Sequence, residues 1–303
     1  MSTEGEGRAP MRRYTRWLAL LLGIVATSTG SIIIRLADAP ALAVAAWRLS
    51  LASLLLTPLA AGPLRREWPG LSGRERRLLL AAGGCLSLHF AFWISSLDYT
   101  SVSSSVILVS TNPLWVALIL RFVLGERISA SSVVAIVVAL AGAAIIGAGD
   151  LSISPRALLG DLLALLGAIA GSAYLLLGRA VRRKLSTLAY VWPCYAIAAV
   201  LLLAYTLAAG QPLLGYDLRT YGMFALLAIG PQILGHSSYN WALGHFAPIL
   251  VTIALLGEPL GASLLAYLVL GEAPPLGVWI GGPLILAGIL LAAWQERRRR
   301  PAG

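Results

Sequence analysis

LLGEPLGASLLAYLVLGE, residues 255–272, is oily enough for lipid yet carries Glu258 and Pro259 in its interior. The same layout stands earlier in the chain, at residues 109–126, as VSTNPLWVALILRFVLGE. Pro113 precedes Glu126 by the interval that separates Pro259 from Glu272, each carboxylate follows Leu-Gly, and the copies are 146 residues apart. The match runs on into the next apolar run, where Gly142 falls on Gly288. Nearer the front an offset of 144 carries Gly23 onto Gly167 and Arg35 onto Arg179, so a two-residue change in one loop reconciles the copies.

Composition fixes the solvent around this repeat. The chain is 58% hydrophobic and 12% charged, with a mean hydropathy of +0.83, far outside the range of soluble domains. A helical span needs about 20 mostly apolar residues. Such runs occur at about 17–34, 40–60, 78–97, 101–124, 130–148, 158–178, 188–208, 221–243, 247–270 and 276–294, ten in all. Runs such as VVAIVVALAGAAIIGAG lack the period-two alternation of a membrane barrel. The expected fold is therefore an all-α membrane protein of ten transmembrane helices arranged as two five-helix repeats. Because five is odd, corresponding spans cross in opposite directions and the repeats are inverted, a recurrent plan in secondary transporters. The expected organisation is a tail at 1–16, a first repeat at 17–148, a linker at 149–157, a second repeat at 158–294 and a basic tail at 295–303.

The net charge of +10 follows topology rather than nucleic-acid binding. With the N-terminus inside, 19 of the 23 Lys and Arg residues fall on the inner side, among them Arg65, Arg66, Arg74, Arg76, Arg77, Arg179, Arg182, Arg183, Lys184 and Arg297 to Arg300. The positive-inside rule then puts both termini in the cytoplasm, and the expected location is a bacterial inner membrane, as a multi-pass protein. The first apolar run lacks a convincing small-residue cleavage site and reads as a retained span. Cys85 and Cys194 fall within spans without a CxxC partner and read as buried thiols.

Polar groups inside spans are the candidates for a pathway. Glu258 stands about eleven residues, roughly 16 Å, from each end of its span. An ionised carboxylate there is costly unless it faces a wet cavity, meets a cation or takes up a proton. Pro259 frees a backbone carbonyl beside it. Its repeat counterpart is Asn112 followed by Pro113, and these prolines are the candidate helix breaks. His89 and His236 lie at nearly equivalent places in the two halves. Trp93, Trp115, Tyr239, Asn240 and Trp241 surround them, with His236, Tyr239 and Asn240 on one helical face. Aromatic walls with few polar groups suit an amphipathic ligand. Arg48, about eight residues into the second span, is a candidate for a substrate carboxylate, with snorkelling to the outer face the favoured alternative. Gly167 with Gly171, Gly257 with Gly261 and Gly277 with Gly281 form GxxxG pairs that allow close helix packing.

The LGE or LGER closing the fourth and ninth spans, the proline about thirteen residues earlier, the small-residue fifth and tenth spans and the two halves together resemble the EamA type of the drug/metabolite transporter superfamily, over about residues 17–294. The resemblance implies ten spans, a central cavity between the halves, and export or exchange of small metabolites, often amino acids or related amphipathic compounds. One departure is Ala-Pro-Pro after Glu272 where Arg127 follows Glu126. The expected function is export or exchange of such a metabolite, an amino acid with a hydrophobic or aromatic side chain in particular, by alternating access. The partners expected are a small-molecule substrate and membrane lipid, not nucleic acid, for a monomer or weak homodimer. A lipid or lipid-carrier flippase of the same superfamily is the alternative. An intramembrane enzyme is disfavoured, since HExxH, GxSxG and histidines at ligand spacing are missing from the sequence. Hence no catalytic residue, metal or cofactor is expected.

Overall fold

The computed structural model describes residues 8–100, 102–147, 154–182, 184–270 and 276–299. Every regular element among them is helical. The first half contains α1 (Arg8–Ser28), α2 (Gly30–Leu36), α3 (Ala41–Glu67), α4 (Gly73–Ser96), α5 (Val102–Val109), α6 (Asn112–Leu118) and α7 (Ala130–Gly147). The second contains α8 (Pro155–Val181), α9 (Thr187–Ala208), α10 (Leu218–Leu227), α11 (Ser237–Ala242), α12 (Pro248–Leu255), α13 (Glu258–Leu270) and α14 (Leu276–Arg299). Two wide π-helical turns join elements: Ile119–Val123 continues α6, and Ala228–His236 links α10 to α11.

Side-chain oxygens fix several helix starts. Ser154, Ser186 and Asp217 accept the N–H groups of Ala157, Ala189 and Thr220, so a donor left over at each N-terminus is satisfied. Ser72 and Glu75 form a reciprocal capping box at the start of α4. Beyond these ends the helices are apolar nearly all round. Leu55, Leu59, Phe122, Leu207 and Leu290 stand exposed, as a lipid-facing surface requires and a water-facing one would not tolerate at this density.

Among the described residues eight helices are long and apolar enough to cross a membrane. The fifth and eighth expected spans are not among them. Ala130–Ile146 is apolar but shorter. The eighth, Leu218 to Ala242, winds as α, then π, then α without a gap, and is diluted by Gly222, Gly230, Pro231, Gln232, Gly235 and His236. Several of those polar groups turn toward neighbouring helices, so hydropathy understates a span whose polar atoms are satisfied within the protein.

Helix pairing is unchanged when the halves are exchanged. α4 packs on α8, and their counterparts, the Ala228–His236 turn with α11, pack on α1. The pairs α3 with α9 and α7 with α14 each map onto themselves, and α6 with α12 maps onto α13 with α5. The α7–α14 contact is backbone to backbone. A Cβ added to Gly142 would stand 2.5 Å from the Gly281 carbonyl oxygen, and one on Gly288 would stand 2.6 Å from Ala139 Cβ. Gly277 likewise abuts Ile145. Small residues bring these backbones together because lipid offers no hydrophobic incentive for helices to associate.

Candidate functional site

The fourth and ninth spans are both discontinuous, and at matching places. α5 ends at Val109 and α6 begins at Asn112; α12 ends at Leu255 and α13 begins at Glu258. The 146-residue repeat therefore sets Asn112 and Glu258 at the first position of two half-helices, each followed by the proline that cannot continue a helix ladder. Asn112 Nδ2 donates to Val109 O at 2.9 Å, occupying a carbonyl left over by the break.

Each break is also held from the opposite half. Ser28 Oγ donates to the Glu258 carbonyl at 3.2 Å, and Ser172 Oγ donates to the Asn112 carbonyl at 3.3 Å. These serines are repeat mates 144 residues apart, and each bonds the carbonyl four residues back as well, Ile24 and Ala168. Ser172 Oγ further reaches Asn112 Oδ1 at 3.0 Å. The Glu258 side chain is half-buried and lies within electrostatic reach of Arg48 and Tyr239. Tyr239 is buried, its hydroxyl 2.9 Å from Thr27 Oγ1 and its ring against Gly23, where a Cβ would come within 2.6 Å.

Arg48 does not snorkel. Its residue is only 1% exposed, its Nε donates to Gln232 Oε1 at 2.8 Å, and its guanidinium lies 4.3 Å from the Phe90 ring centre. Depth along a helix was legible in the sequence, but the side of the helix was not; α3 turns Arg48 inward, where the π-helical turn aims Gln232 at it. The Gln232 carbonyl accepts the Ser237 N–H within that turn, and also the Tyr195 hydroxyl at 3.3 Å and the Ser237 hydroxyl. Such widened turns recur at functional sites.

The two histidines are neighbours and not repeat mates. By the 146 offset His89 corresponds to Gly235 and Phe90 to His236. Packing agrees: His89 meets Gly171 as Gly235 meets Thr27. His89 Nδ1 lies 2.8 Å from Gly167 O, while the His236 ring sits 5.2 Å from Phe90, 6.2 Å from His89 and 6.2 Å from Tyr239. Trp93 is buried and stacks on His89 at 6.0 Å.

Three candidates take other places. Trp241 stacks on His245 at 4.0 Å, because two residues along a helix from Tyr239 it points to the far side. Asn240 is buried, and its Nδ2 donates to the His236 carbonyl at 2.7 Å, while its own carbonyl accepts from Arg182. Trp115 is half-buried and its Nε1 donates to Thr111 Oγ1 at 3.0 Å within the fourth span. Glu126 is a surface lock: Arg179 bonds it at 2.8 Å, Gly125 before it has φ +68°, and its N–H donates to Leu120 O. Glu272 and Arg183 fall outside the described residues. Among the described residues no three metal-ligating side chains come together.

Sequence reasoning passed over Gln232, Tyr195, Phe90, Thr27 and the two serines. Only the serines carried a signal, since Ser28 and Ser172 share the offset that aligns Gly23 with Gly167.

Several known proteins are similar to this chain. A solved crystal structure, 22% identical in sequence, covers 95% of this chain and 99% of its own with a TM-score of 0.76, which shows a shared fold. An uncharacterized transporter of Archaeoglobus fulgidus is 27% identical over 92% of this chain and 96% of its own length. A probable terminal-alkyne amino-acid exporter of Streptantibioticus cattleyicolor is 26% identical over 84% of each. The model of the EamA-like transporter family matches residues 16–148 and again residues 158–294, and with that double match the chain belongs to this family of multi-pass membrane transporters.

Proposed function

We propose that this transporter exports or exchanges a small amphipathic metabolite, an amino acid with a hydrophobic or aromatic side chain, by alternating access between two inverted five-span halves. In this reading ten spans cross a bacterial inner membrane, residues 17–148 and 158–294 are the two moving units, and both termini are cytoplasmic. The observation that carries it is the pair of helix breaks at Asn112 and Glu258, each bonded by a serine of the other half. Discontinuous helices supply unpaired backbone and a positive half-helix end at mid-membrane, where transporters bind cargo. Glu258 meets the amino group of the cargo or exchanges a proton with it. Phe90, His89, Trp93, His236 and Tyr239 provide the ring surfaces against which an apolar side chain packs. The probable amino-acid exporter among the relatives supports the cargo class.

Flux tests this directly. Purified protein in proteoliposomes is expected to move labelled phenylalanine or leucine and not labelled phospholipid, and cells expressing it are expected to tolerate toxic amino-acid analogues. Lipid movement without amino-acid flux would favour a flippase, and no gain in either assay would end the amino-acid reading.

A further inference from the structure

The buried cluster around Phe90 is short of acceptors. Arg48 Nη1, Gln232 Nε2 and Trp93 Nε1 are all sealed from solvent and without hydrogen-bond partners, and all three are N–H donors. Gln232 cannot be turned round to cure this, because its Oε1 already accepts from Arg48 Nε at 2.8 Å. Phe90 neighbours two of them, with the Arg48 guanidinium 4.3 Å from its ring centre and the Trp93 ring 6.2 Å away, and Gln232 joins through its bond to Arg48. Arg48 has Glu258 within electrostatic reach, but neither of the two ion pairs among the described residues involves either of them. Buried donors are ordinarily satisfied, and a buried guanidinium without an ion-pair partner in contact is costly.

We propose that Arg48 Nη1 and Gln232 Nε2 form the carboxylate-binding half of the cargo site. The guanidinium brings charge and a fixed fork of donors, and the amide adds a second donor whose orientation Arg48 itself locks. Phe90 on one side of the guanidinium keeps it from turning away. Glu258, held at the start of α13 by Ser28, faces the same region with the opposite sign. A zwitterion then bridges them, its carboxylate on Arg48 and Gln232 and its ammonium on Glu258. This subsite rests on the amino-acid reading above and narrows it to compounds that carry a carboxylate.

Binding to the purified full-length protein in detergent, read by thermal shift and by titration, separates the two halves of the site. The probes are phenylalanine, 3-phenylpropanoate, which lacks the amine, and 2-phenylethylamine, which lacks the carboxylate. Arg48→Gln is expected to weaken the two carboxylates at least about tenfold, the loss of one charge-assisted hydrogen bond, and to leave the amine unchanged. Gln232→Glu keeps Arg48 partnered and the packing intact, so it guards against misfolding; its new carboxylate fills the anion site and is expected to weaken the same two probes. Failure of both carboxylates to bind, or equal affinity in wild type and both variants, overturns the proposal. Carboxylate binding that depends on Arg48 without amino-acid flux in vesicles would keep the anion site and remove the transport reading. Flux that neither variant alters would do the reverse.

Discussion

At the residue scale the informative contrast is between three glutamates that the repeat invites one to compare. Glu126 sits outside the apolar zone, paired with Arg179 at 2.8 Å, and its side chain is 45% exposed, so solvent screens it and its contribution is about 0–1 kcal/mol. Glu272 is its counterpart. Glu258 differs in kind, since it opens a half-helix inside the span and faces Arg48 and Tyr239. A carboxylate placed there is useful only if its charge is removable by cargo or by a proton. Glu258→Gln keeps shape and hydrogen bonding but cannot titrate. It is expected to fold and reach the membrane, while vesicle flux falls at least about tenfold or loses its dependence on pH. Glu126→Gln should change flux less than about threefold. Wild-type flux with an unaltered pH profile in Glu258→Gln would reduce this residue to packing.

Sequence and structure part company at this same scale. Glu258 and Asn112 stood out because a polar residue beside a proline in an apolar run is conspicuous in one dimension. Gln232 and Tyr195 did not, because what matters about them is that the Gln232 side chain meets Arg48, 184 residues earlier, and that its carbonyl meets Tyr195, 37 residues earlier. Arg48 was visible but its direction was not, for depth in the bilayer follows from counting residues whereas the direction of a side chain depends on which helices surround it. His89 and His236 looked like mates because their types agree, although the offset that aligns the prolines aligns them with Gly235 and Phe90.

At the scale of elements, the small residues of the fifth and tenth spans do what their sequence suggested, and with a geometry that makes the point testable. Gly142 and Gly281 place backbone against backbone, so an added methyl meets a carbonyl oxygen at 2.5 Å and the Ile285 nitrogen at 2.9 Å, atoms that cannot swing aside. Gly84 in α4 has nothing within 4 Å of the same added atom. Gly142→Ala is therefore expected to destabilise by about 1–3 kcal/mol through overpacking. Gly84→Ala should be neutral or stabilising by up to about 1 kcal/mol, from helix propensity alone. Thermal denaturation of the two variants in one detergent measures the difference. Equal melting temperatures would mean that α7 and α14 do not pack this closely in the membrane. The Asn112 side chain at the first break argues along the same line: irregular backbone persists inside a span because a side-chain amide occupies the Val109 carbonyl that Pro113 cannot bond.

At the scale of the whole molecule, the symmetry of helix pairing and the matched serine bonds require two similarly folded halves, but only inversion lets the halves exchange conformations and so open the site to alternate sides. Asp38 and Lys184 supply the test. They are 146 residues apart, both are exposed, and they precede α3 and α9, which begin at the repeat-related residues Ala41 and Thr187. If the halves are inverted, these mates face opposite sides of the membrane, whereas a parallel duplication would put them on the same side. Cys85 and Cys194 are free thiols and must first be replaced. In that background Asp38→Cys is expected to react with a membrane-impermeant maleimide added to intact cells. Lys184→Cys, among the basic residues that mark the inner face, should react only once the inner face is opened. The Lys184 ion pair with Glu75 is largely solvent-exposed on the lysine side and screened by water, so its loss leaves the fold intact. Labelling of both positions from the same side would rule out inversion, and with it the alternating-access mechanism, whatever the cargo.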